Sequence, residues 1–102
     1  MIFRRDRFGD LVRRQLDLFA EDEAELLDEA EAAERAYERA ERDEAEEAYG
    51  DYQLVLEAVG DRLEELRDTY AATLDDETRS AYEQAFGRAA RRRFPNLSGL
   101  RE

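Results

Sequence analysis

The chain contains no Cys and no His. Their absence excludes disulfides, thiolate catalysis, haem ligation through His and structural zinc sites. Cysteine usage therefore says nothing of the redox compartment. Trp is absent, and Pro and Met occur once each. No apolar run approaches the roughly 20 residues that a membrane span needs. The first residues, Met1-Ile2-Phe3-Arg4-Arg5-Asp6-Arg7, lack the apolar core of a secretory signal, so a cytoplasmic protein is expected. Lys is also missing: all 16 basic residues are Arg. With one Ile and one Asn, this bias fits coding from a GC-rich genome. A salt-loving source is the rival account, since a large acid excess maintains solubility in strong salt.

What remains is charge and helical periodicity. Charged residues make up 43% of the 102 positions and the net charge is −12. Such a composition means either disorder or long helices with narrow apolar seams. The periodicity and the five Phe and five Tyr favour helices. Apolar residues recur at helical spacing in two runs, Val12 to Ala40 and Ala45 to Leu74. The runs mirror each other. Folded back, they pair Ala33 with Tyr52, Ala30 with Val55, Leu26 with Val59 and Phe19 with Leu66, each pair of numbers summing to 85. Large residues then face small ones near the tip, as helix packing requires. Glu23 falls opposite Arg62 in the same register.

The expected fold is all-α. A long antiparallel helical hairpin, about residues 10–41 and 43–74, is buttressed at its base by a shorter third helix over about 76–93, making a three-helix bundle. The whole chain reads as a single domain, with a basic N-terminal segment over 1–8 and a tail over 95–102. Arg35, Arg39 and Arg42 at the end of the first helix, and Asp43, Glu44, Glu46 and Glu47 at the start of the second, complement the helix dipoles. Asp43 and Glu46 form a capping-box-like pair. Gly50-Asp51 is the competing break, but the apolar stripe runs through Gly50 and Gly60 without a change of phase. Phe94-Pro95 should end the third helix. Its apolar face, Tyr82, Ala85, Phe86 and Ala89, should meet the hairpin base, with Leu97 and Leu100 tucked back.

Three features invite a partner. The first is the hairpin tip, where Tyr37, Tyr49 and Tyr52 crowd together near Leu54 and Leu56. Leu54 points about 160° away from Tyr52 at 100° per residue. An apolar residue there invites a second copy, and a homodimer forming a four-helix bundle is the expected solution. The second is an acidic belt, centred on Glu21, Asp22, Glu25, Asp28 and Glu29. Residues 15–34 carry nine acids and no base. Such a run is most often a solvated helix face. It could also attract a basic protein or hold divalent ions between carboxylates, although no calcium-loop spacing is present. The third is a pair of basic patches, Arg4, Arg5 and Arg7 at one end and Arg91, Arg92 and Arg93 at the other. Internal compensation is the ordinary reading of these arginines, and a chain of charge −12 disfavours nucleic acid.

No catalytic constellation is visible. Ser80 and Ser98 have no His to activate them, the glycines are isolated, and no cofactor is implied. Ala45-x-x-Ala48-Tyr49-x-x-Tyr52 after a short turn resembles the second helix of a tetratricopeptide unit. The family repeats at about 34 residues with a turn Gly and a terminal Pro. Here there is one copy without those landmarks, and the stretch reads as generic helix-pair packing. The expected function is a non-enzymatic interaction or assembly module that self-associates through the hairpin. An acidic regulator of a basic protein or of nucleic-acid machinery is the first alternative. A carboxylate-only metal bundle is the second.

Overall fold

A computed structural model describes residues 7–97. Those residues form four α-helices and no strand: α1 (Gly9–Asp22), α2 (Ala24–Arg39), α3 (Ala45–Ala71) and α4 (Asp76–Arg93). The all-α expectation holds, whereas the three-helix count does not. The first long helix is interrupted at Glu23, whose φ of −108° and ψ of 30° leave helical geometry. Hydrogen bonds bracket the break, from Glu23 N–H to the Phe19 carbonyl at 2.8 Å and from Leu27 N–H to the Glu23 carbonyl at 2.9 Å. The break falls within a run of acids: Glu21 and Asp22 end α1, where the helix dipole disfavours them, and Glu25 stands in the first turn of α2, where it is favoured. Arg62 on α3 also reaches the Glu23 carboxylate at 3.1 Å, the pair expected from the mirror.

The hairpin turn lies at 40–44, and α3 begins at Ala45. Ala40 is extended at ψ 139°, which ends α2. The Asp43–Glu46 capping pair is not formed: Glu44 is the N-cap and no side chain bonds to the helix end. Gly50 and Gly60 both lie within α3, and neither has positive φ. The competing break at Gly50 is thereby excluded.

The α3–α4 corner is built by side chains. Asp75 accepts the Thr78 N–H at 2.8 Å, capping α4. Arg79 donates to the Ala71 carbonyl at 3.1 Å and to the Leu74 carbonyl at 2.8 Å. The Ala71 carbonyl also accepts the Leu74 N–H at 3.0 Å, so Arg79 adds a second bond there where the helix ends. At the far end of α4, Phe94 leaves the helix at φ −128° before Pro95. The chain then turns so that Leu97 is buried; Leu100 lies outside the described residues.

The core sits at the base. Tyr82, Phe86, Leu63, Val12 and Val59 are its largest fully buried side chains. Tyr82 is its centre. Its ring meets Phe8 at 5.4 Å edge-on and Tyr70 at 4.8 Å, and its hydroxyl donates to Gln15 Oε1 at 2.9 Å. Burial pushes the pKa of that hydroxyl up to about 12. Helices α1 and α4 run in parallel along this core, as the pairings Phe8–Tyr82 and Phe19–Phe94 show. By contrast, α2 contributes no buried residue. It packs along α3 as a half-buried seam, in a molecule of 56 × 31 × 22 Å. Among the described residues, no helix is long and apolar enough to cross a membrane.

Candidate interaction surface

The hairpin tip brings three of the sequence-selected residues together. Tyr37 on α2 lies 5.2 Å from Tyr49 and stacks on Tyr52 at 6.3 Å, measured between ring centres. Tyr49 also accepts a bond from Gln53 at 3.0 Å. Tyr37 and Tyr49 remain 38% and 44% exposed, because nothing covers a hairpin two helices thick. Tyr52 is more enclosed. Burial raises its hydroxyl pKa, and the Glu34 and Glu38 carboxylates raise it further while Asn96 opposes them.

Leu54 and Leu56 part company. Leu54 is 65% exposed, the highest among the exposed large apolar residues. Leu56 packs against the core, two residues and about 200° further round the helix. It lines a groove of about 290 Å³ with Leu27, Val59, Phe94 and Leu97, between the hairpin and the segment after α4. Leu18 on α1 is the second exposed leucine, at 57%. Sequence reading passed over it. Its signal was available, since Leu18 lies between the inward-facing Leu16 and Phe19 without belonging to their stripe.

The acidic belt is solvated. Glu21, Asp22, Glu25, Asp28 and Glu29 are all exposed. Four of them, without Asp28, line an open depression of about 520 Å³ at the α1–α2 break. No group of three or more acidic side chains among the described residues is placed to hold a metal ion.

Of the basic patches, Arg4 and Arg5 lie outside the described residues. Arg7 is exposed and sits 5.8 Å from the centre of the Phe8 ring. Phe8 itself is drawn into the core. Arg93 pairs with Asp17 at 2.8 Å, an instance of the internal compensation expected between α4 and the acidic run. Arg91 is half-buried and Arg92 is exposed. Arg92 and Arg93 join Arg13 at the rim of a groove of about 360 Å³ between α1 and α4. Val12, Leu16, Ala85 and Ala89 line it from below. Sequence reading selected this arginine cluster but not the apolar groove beneath it, which needs the parallel pairing of α1 with α4.

No charged side chain among the described residues is buried. No protein-family model matches the chain, and no curated protein or solved structure shows significant similarity to it.

Proposed function

We propose that the protein is a non-enzymatic helical interaction module that self-associates through its hairpin. The observation that carries this reading is Leu54. An exposed leucine alone is ordinary. This one stands on a rigid 27-residue helix, in the half of the molecule that buries nothing fully on α2. Exposed Tyr37 and Tyr49 form a separate aromatic patch at the tip, well round α3 from Leu54. A few anchor side chains carry most of the binding energy at protein interfaces.

The test is Leu54→Glu, followed by light scattering and circular dichroism. The wild-type protein should run above the monomer mass of 11.9 kDa. The variant should fall to that mass with its helicity unchanged, because Leu54 makes no core contact. An unaltered assembly in the variant would remove Leu54 from the interface. The second reading, an acidic regulator, draws on the exposed carboxylates around the α1–α2 break. Its mark is binding to a basic partner that falls steeply with salt.

A further inference from the structure

The self-association proposed above leaves open which surface of the second copy receives Leu54. A symmetric contact of α3 against α3 meets an electrostatic obstacle. No basic residue occurs between Arg42 and Arg62. On the Leu54 face, the positions three and seven residues away are Asp51, Glu57, Glu47 and Asp61, all exposed. Two such faces crossing antiparallel at Leu54 would set Asp51 against Glu57 and Glu47 against Asp61. Every facing charged pair is repulsive, which disfavours that partner. The receiving surface must instead offer an apolar floor and positive charge.

The groove between α1 and α4 has both. Its floor is Val12, Leu16, Ala85 and Ala89, and its rim carries Arg13, Arg92 and Arg93. We propose that Leu54 of one copy, with its flanking carboxylates, docks in the arginine-rimmed α1–α4 groove of a second copy. Gly50 and Ala58, four residues either side, leave Leu54 standing clear of its own helix as a knob. Arg92 and Arg13 then face Asp51 and Glu57. Arg13 gives up little to do so, since its pair with Asp10 is exposed on both sides at 66% and 74%. The contact joins unlike patches, so each copy carries both a knob and a groove.

This inference rests on the self-association reading, and a charge exchange separates the two. One variant carries Arg13→Glu and Arg92→Glu; the other carries Asp51→Arg and Glu57→Arg. All four side chains are exposed, so each variant should keep wild-type helicity. Light scattering should find each variant monomeric alone and association restored on mixing. The mixture sets the reversed groove of one variant against the reversed knob of the other, and the unaltered knob of the first against the unaltered groove of the second. Restoration also shows that both variants are folded. A wild-type chain that is monomeric at every concentration overturns both readings. A wild-type assembly dissolved by Leu54→Glu but untouched by Arg13→Glu and Arg92→Glu overturns the groove alone. Two monomeric variants that fail to associate when mixed overturn it as well.

Discussion

Gly50 and Gly60 bracket Leu54 on α3, and replacing both with Ala should stabilise the protein. Neither glycine has positive φ, so neither uses the backbone freedom that only glycine has. A Cβ added at either position would meet nothing within 4 Å. The effect is therefore helix propensity and unfolded-state entropy alone, about 0.5–1 kcal/mol per site. Ten positions separate the two sites, about 15 Å along the helix. At that distance the effects should add, to a total of about 1–2 kcal/mol. A domain near 100 residues unfolds with an entropy near 0.2 kcal/mol per degree, so the melting temperature should rise by roughly 5–10 °C. Thermal unfolding followed by circular dichroism at 222 nm reads it, at a concentration where the assembly state is known. A melting temperature that falls for either single variant would refute the reasoning. It would mean that α3 bends or is approached at that glycine, and that Leu54 is not carried on a continuous helix.

Two further predictions concern ionisation. The Tyr82 hydroxyl has an ordinary value of 10.0 and is pushed up to about 12 by burial. The fold favours the neutral phenol, so the contribution is intact below pH 10 and is lost as pH rises toward 12. Tyr82→Phe should flatten that alkaline limb in denaturant titrations, while losing about 1 kcal/mol at neutral pH with the Gln15 bond. Asp75 behaves in the opposite sense. The Thr78 N–H holds its carboxyl below the ordinary value of 3.8. Its contribution is present above that value and is lost as pH falls through the lowered one. Asp75→Asn should reduce stability at pH 7 and weaken the dependence of stability on pH in the acid range, measured by urea unfolding.

The legible part of this fold was carried by long-range pattern. The mirror in the apolar stripe fixed the hairpin register closely enough to pair Glu23 with Arg62, and α4 occupies the range read from Asp75-Asp76 and Phe94-Pro95. Details that depend on local competition were less legible. The stripe runs through Glu23, so periodicity gave no sign of the break there. The acids that mark it look like any solvated face. Asp43 resembles a cap by spacing, yet the turn is one residue longer and Glu44 takes the position. Arg79 read as one charge among many, although its three guanidinium nitrogens bind Ala71, Leu74 and Asp76 at the α3–α4 corner. Similar limits hold for the candidate surface. Leu54 was visible as an apolar residue on the wrong side of a helix, whereas Leu56 was grouped with it by sequence proximity and turns inward. The groove under Arg13 and Arg92 combines two helices that are distant in sequence, and no single-segment pattern announces it.

The central claim is that the exposed hairpin holds chains together through Leu54. Sedimentation equilibrium of the wild-type chain and of Leu54→Glu, from micromolar to millimolar, tests it most directly. The wild-type mass should climb above 11.9 kDa with concentration, and the variant should stay at that value. Two identical curves, whether both rise or both remain flat, would contradict it.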